Sequence, residues 1–430
     1  MDRTPVDIRV GDETYTVQVP NLIGVIAPMH VAGVKDPESE IARAVTHPIG
    51  SKRLCAIAEG KKTAAIVIND ITRPYPGGLM VLEIARELNL GGIRDENISL
   101  IVAYGNHRKN TDEELCAQYG EDVIHRFRVV HHVATDPERL TYLGETRSGM
   151  PVQLNKEFCE ADVKILTGLI APHQLAGFSG GRKSVMPGIA GIESLKRHHS
   201  FPIRPASTSC GWLEGNAFHE EAMEAARIAG VDFIVNSVDN AERELVTCVA
   251  GDLEAAYLYG VEESRKIWTV TIPRRPDVVI VSPGGFPRDF DLHQSQKSIG
   301  CAEMICRKGG MIILCAEARD GAGKPGKVLK EATSAQEVID RFVQNGYSPD
   351  SVSKAYMLAR ASTQFTVAVA QSKIPVEELD TMFLEGYTSI EKAIESALSR
   401  YGEDASFMVV PHASEVIPLI ETDISTTSCL

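Results

Sequence analysis

Residues 177–184 read GFSGGRKS, one residue away from a phosphate-binding loop. Such a loop needs glycine, four residues of any kind, then Gly-Lys-Ser/Thr, with a helix starting there so that backbone amides wrap the phosphate. Gly177, Lys183 and Ser184 fit, but Arg182 stands where the second glycine belongs. Pro187, Gly188 and Gly191 would then break a helix within its second turn. The glycines leave the backbone free to approach a ligand closely. A lysine held beside Arg182, its pKa depressed, can act as an amine nucleophile. The stretch reads as a lysine offered for covalent chemistry.

Other polar clusters follow apolar runs. NDITRPYPGG carries Asp70, Thr72 and Arg73, YGNHRKN carries His107 and Arg108, and GLIAPHQ carries His173. SPGGFPRDFDLHQSQKS carries His293, Gln294 and Lys297, and KRHHS carries His198 and His199. An arginine grips a carboxylate bidentately and fixes its orientation. Two histidines, with pKa values near neutrality, can remove a proton on one side of a carbon and return one on the other. The set suits a 2-hydroxy or 2-oxo acid. Taking the α-proton of an ionised hydroxy acid directly is very hard, so hydride removal through a cofactor is favoured. No G-x-G-x-x-G follows a strand, which argues against a Rossmann NAD site, and the His pair matches no zinc pattern. His30, His47, His125 and His219 read as ordinary surface or core residues, and in RVVHHVAT one of His131 and His132 should face inward.

These residues need a scaffold that brings loop ends together. The runs 63–70, 98–105, 162–169, 277–283 and 310–317 read as strands buried on both faces, and 78–90 and 111–120 as helices. Alternating strands and helices predict an α/β fold, whose ligands bind beyond the carboxyl ends of the strands. The length of 430 residues and the proline-flanked VTIPRRPD divide the chain into two α/β domains, 1–270 and 277–420. MDRTPVDIRVGDETYTVQV predicts a hairpin turning at Gly11-Asp12 and not a signal peptide. A net charge of −14 argues against nucleic acid, and no apolar run is long enough for a membrane helix. Nine scattered cysteines without a C-x-x-C pair fit a reduced, cytoplasmic protein.

The stretches D-I-T-R-P (70–74), Y-G-N-H-R (104–108), P-H-Q with G-G-R-K and P-G (172–188), His199 and Q-S-Q-K (294–297) together resemble one family. It is that of the nickel-pincer-nucleotide-dependent lactate racemases and related 2-hydroxyacid racemases and epimerases. The resemblance implies mainly parallel sheets in two α/β domains with an active-site cleft between them. It implies that Lys183 bears pyridinium-3,5-bisthiocarboxylic acid mononucleotide through a thioamide. His199 would be the protein ligand to nickel, chosen over His198 by its distance from Lys183, and Asp70, Ile71, Thr72 and Arg73 would contact the cofactor. His107 and His173 would be paired acid/bases: one takes the hydroxyl proton as hydride leaves, and the other serves the opposite face. Gln294 and Lys297, with Arg73, would hold the substrate carboxylate. The implied partners are a small 2-hydroxy acid and cofactor-synthesis proteins, with a homodimer left open. Two residues depart from the lactate enzymes' pattern: His293 stands where a tyrosine is expected, and Ser353 where a tryptophan is expected. Both departures predict a substrate bulkier or more polar than lactate. The competing readings are a non-racemising nucleotide- or metabolite-binding relative and a conventional 2-hydroxyacid dehydrogenase.

Overall fold

The computed structural model describes residues 3–72, 75–205, 208–348, 351–413 and 416–421. Two compact units emerge, one of His30–Pro205 with Gly211–Ile267, the other of Met1–Met29, Ala206–Cys210 and Trp268–Leu430. Each is built on a six-stranded sheet.

In the first unit the strands lie in the order Leu245–Gly251, Phe233–Asp239, Val163–Leu169, Ala64–Asn69, Ile98–Ala103, Arg128–His131. All neighbours are parallel except the first pair. The runs AAIVIN and VKILTGL are apolar almost throughout because both faces are covered. The helix Gly77–Leu90 buries Met80, Val81, Ile84, Ala85 and Leu88, the three-to-four spacing of one helical face. Asp112–Tyr119 starts on a capping box: Thr111 accepts from the Glu114 amide while the Glu114 side chain returns to the Thr111 amide.

The second unit's sheet is parallel throughout, in the order Glu385–Tyr387, Thr366–Ala370, Met311–Cys315, Val278–Val281, Phe407–Val410, Leu22–Val25. The predicted hairpin is present, Arg3–Val10 paired with Glu13–Pro20. Its partner corrects the sequence-based division at 270. The first 29 residues belong to the unit that contains the C-terminal half. The reason is apolar burial: Val6, Ile8, Val10, Val17 and Val19 pack in one core with Ile280, Ile313, Ala368 and Phe407, and Leu22–Val25 completes that sheet's edge. The change of unit at 267–268 lies close to the expected boundary. The helices Leu292–Ile305 and Ser353–Gln364 of this unit are tied by a buried ion pair, Arg360 Nε meeting Glu303 Oε1 at 3.0 Å.

Candidate active site

The strands Val163–Leu169, Ala64–Asn69 and Ile98–Ala103 are adjacent and parallel, so their carboxyl ends share one edge of the first unit's sheet. The loops that leave this edge carry His173, Asp70 and His107, as the sequence predicts.

The GFSGGRKS loop makes one tight turn of 3-10 helix, Gly181–Ser184, and no α-helix starts there. This agrees with the rejection of a phosphate loop. Gly177 has φ +74°, and a Cβ there would lie 2.2 Å from the Trp212 carbonyl oxygen, so only glycine fits. The Gly181 amide donates to Asn236 Oδ1 at 3.0 Å, and Ser184 Oγ donates to the Thr167 carbonyl at 2.9 Å. These bonds anchor the loop to the neighbouring strands and present Lys183. Its Nζ lies 2.9 Å from His173 Nε2.

His173 Nδ1 accepts from the amides of Leu175 and Ala176, each at 3.2 Å. An amide can only donate, so Nδ1 carries the lone pair and the proton of the neutral ring sits on Nε2, where it can bond Lys183 Nζ only as the unprotonated amine. His107 has the opposite arrangement. Its Nδ1 lies 2.6 Å from Asp70 Oδ2, and an ionised carboxylate can only accept, so Nδ1 is protonated and Nε2 holds the lone pair. Asp70 is buried and also accepts from Thr72, through its amide at 3.1 Å and its hydroxyl at 2.6 Å. Ile71 is exposed, and its amide meets Asn110 Oδ1 at 3.5 Å. The His107 loop is fastened to the lysine loop, since the Gly105 amide donates to the Gly188 carbonyl at 2.8 Å.

His199 caps the helix Ile192–His198. Its Nδ1 lies 3.0 Å from the Leu195 carbonyl, which fixes the proton there and the lone pair on Nε2. Burial pushes its pKa down to about 4, with Lys183 and Arg204 adding to the effect against the Leu195 bond, so the ring is neutral at pH 7. His198 is fully buried beneath Phe218, ring centroids 3.9 Å apart, and neither nitrogen has a hydrogen-bond partner among the described residues. The inward member of the other pair is His132, whose Nε2 meets the Ala190 carbonyl at 3.0 Å.

Arg73 lies outside the described residues. The remaining candidates belong to the second unit. His293, Gln294 and Lys297 sit in the first turns of the helix Leu292–Ile305, capped by Asp291 Oδ1, which accepts from the Gln294 amide at 2.7 Å. Lys297 Nζ donates to Gln294 Oε1 at 2.7 Å, so these two share a helix face. Ser353 opens the helix Ser353–Gln364 and is buried.

Sequence reasoning missed Asn110 and Asn236, which brace the loops, and Tyr257, whose ring carries Arg182. It also read Arg182 as an electrostatic neighbour of Lys183. The guanidinium instead turns into the protein to meet backbone carbonyls. Asn110 lay within a cluster already noticed, while Tyr257 carries no sequence signal beyond an ordinary helix.

Asp239, at the end of the strand Phe233–Asp239, is buried, and its Oδ1 has no partner among the described residues. Desolvation raises its pKa to about 7, against lowering contributions from Ser237 and Arg243. The folded protein therefore loses stability as pH rises from the unfolded carboxyl's value near 4 to about 7. Asp239→Asn should raise stability at pH 8 by on the order of 2–4 kcal/mol and change it little at pH 4, read from denaturant midpoints at both pH values. Equal effects at the two pH values would contradict this origin.

Residues 10–210 match the lactate racemase N-terminal domain and residues 272–418 the lactate racemase C-terminal domain. Over 389 residues the chain is 34% identical to the lactate racemase of Thermoanaerobacterium thermosaccharolyticum, covering 88% of this chain and 90% of that one. The chain belongs to the lactate racemase family. Identity to the lactate racemase of Lactiplantibacillus plantarum is 32% over 422 residues, 97% of this chain and 98% of the relative. The structure of the T. thermosaccharolyticum lactate racemase apoprotein superposes with a TM-score of 0.89 at 31% identity, covering 97% of this chain and 100% of that one. A Thermotoga maritima crystal structure shares the fold at a TM-score of 0.66 and 19% identity, over 91% of this chain and 100% of that one. As a lactate racemase family member the chain is an isomerase of the racemase class. Among the described residues no helix is long and apolar enough to cross a membrane.

Proposed function

We propose that this family member racemises or epimerises a 2-hydroxy acid at C2, with a nickel-pincer nucleotide attached to Lys183. The observation that carries the reading is that two histidines and a lysine leave the same carboxyl edge of one sheet's parallel strands. His107 rests with an Nε2 lone pair, and His173 Nε2 lies within hydrogen-bond distance of the Lys183 amine. Inversion needs a base for each hand of the substrate, a neutral ring that takes the hydroxyl proton and, as imidazolium, returns it.

The donor set fits the cofactor. Among the described residues no group of three or more His, Cys, Asp or Glu could hold a metal. In this reading nickel takes its other donors from the bound organic group, with the neutral His199 Nε2 as the protein's contribution. The Leu195 carbonyl that fixes the His199 tautomer is the orienting contact such ligands use. When bound, the nickel-pincer nucleotide supplies a site that takes up and returns hydride at the substrate carbon. The chain's residues do the rest. Lys183 provides the amine for attachment, and Asp70, Ile71, Thr72 and Arg73 line the cofactor. Arg73 is our candidate for gripping the substrate carboxylate, and Gln294, Lys297 and His293 are our candidates for binding the substrate. His107 takes the hydroxyl proton from one hand of the substrate, and His173 serves the other. His293 and Ser353, in place of larger aromatic groups, favour a substrate bulkier or more polar than lactate.

Protein produced together with cofactor-synthesis proteins should carry an added mass on Lys183 and one nickel per chain. It should also invert a larger or more polar 2-hydroxy acid faster than lactate. Intact mass, metal analysis and polarimetry on a hydroxyacid panel measure these. A strong preference for lactate would overturn the substrate assignment, and metal-free protein with full activity would overturn the cofactor.

A further inference from the structure

Arg182 is fully buried, and among the described residues no carboxylate pairs with it. Its hydrogen bonds go to backbone carbonyls: Nη1 donates to Phe178 at 2.9 Å and Gly180 at 3.2 Å, and Nη2 donates to Ala176 at 2.7 Å. The guanidinium lies over the Tyr257 ring, 4.5 Å from its centroid, and the Tyr257 hydroxyl donates to the same Phe178 carbonyl at 3.4 Å. Burying an unpaired cation is costly, so a contact of this kind calls for a role.

The geometry supplies one. Carbonyls of residues 176, 178 and 180 converge on one planar group, which curls the segment around it. At one end of the curl the Ala176 amide, with that of Leu175, donates to His173 Nδ1. At the other end the Lys183 amide donates to the Gly180 carbonyl at 3.1 Å, and the Lys183 side chain reaches His173 Nε2. Both chemically active side chains therefore hang from a segment wound on Arg182. A lysine at 182 would keep the charge, but its single tetrahedral head cannot reproduce a planar fork of donors.

We propose that Arg182 is a positioning residue for the racemase reaction. It winds residues 176–183 so that the Lys183 amine meets His173 and the His173 proton stays on Nε2. The proposal rests on the reading of Lys183 as the attachment point and His173 as an acid/base. The test uses full-length Arg182→Lys and Arg182→Met proteins, made with the cofactor-synthesis proteins for loading and without them for the apoprotein. Thermal unfolding reports folding, intact mass with peptide mapping reports the adduct on Lys183, and 15N shifts of the imidazole report the His173 tautomer. In a folded variant the fraction carrying the adduct should fall at least about tenfold, as when supporting residues around metal sites are lost. His173 should also pass from one tautomer to a mixture. A folded variant with the wild-type adduct fraction and a single Nε2–H tautomer would overturn the proposal. If neither variant folds, the wild-type apoprotein decides, because a proton found on His173 Nδ1 at neutral pH also overturns it. Wild-type protein with no adduct on Lys183 strikes the functional reading instead, and the tautomer measurement still judges Arg182.

Discussion

Lys183→Ala should give a folded protein with no added mass, little nickel and racemisation at background. The first part follows from what holds the loop. Arg182 to three carbonyls, Gly181 to Asn236 and Ser184 to Thr167 all remain without the amine. The contact of a half-buried Nζ with His173 is worth about 1 kcal/mol, so the melting temperature should move by only a few degrees. The loss of cofactor follows because attachment needs a nucleophilic nitrogen at that point, and His199 alone cannot retain nickel. Lys183→Arg keeps a long nitrogen-bearing side chain but replaces the amine with a guanidinium that is not nucleophilic, and should lose the adduct equally. Stoichiometric nickel and unchanged turnover in Lys183→Ala would mean the attachment point is elsewhere.

Asp70→Asn should cost nearly as much turnover as His107→Gln, about 10²–10⁴-fold in kcat for each. A neutral asparagine removes the charge that holds the His107 proton on Nδ1. If its amide turns to donate, the proton moves to Nε2 and the lone pair is on the wrong nitrogen. The double variant Asp70→Asn/His107→Gln should then be no slower than His107→Gln, since the carboxylate acts through the imidazole. Racemisation rates from each pure enantiomer measure this, with intact mass confirming equal loading. Multiplicative losses in the double variant, with reduced adduct, would assign Asp70 to the cofactor alone.

Much of the site was legible because α/β folds write it in a simple grammar. Parallel strands covered on both faces appear as continuous apolar runs. Charged residues directly after such runs, as in NDIT and YGNH, mark the ligand-binding edge. The rest depended on side-chain direction. Arg182 and Lys183 are adjacent in the chain, yet one turns inward to carbonyls and the other toward His173. The glycine conformations and the Tyr257 ring decide that turn, and neither leaves a local trace. The tautomers were invisible for the same reason, since they depend on whether Nδ1 faces an amide or a carboxylate. The N-terminal hairpin shows the limit for the fold: alternation revealed its strands, but its partner sheet is formed by residues beyond 277.

That last pairing bears on how the chain is made. The strand Leu22–Val25 is synthesised long before its partner Phe407–Val410. The sheet of His30–Pro205 and Gly211–Ile267 has all its strands once Leu245–Gly251 is made. The hairpin and the strand after it must wait, with valines and isoleucines uncovered, until Phe407–Val410 follows. Vectorial synthesis thus lets the lysine-bearing unit fold first, while closure of the other sheet comes later, set by a contact between segments far apart in sequence.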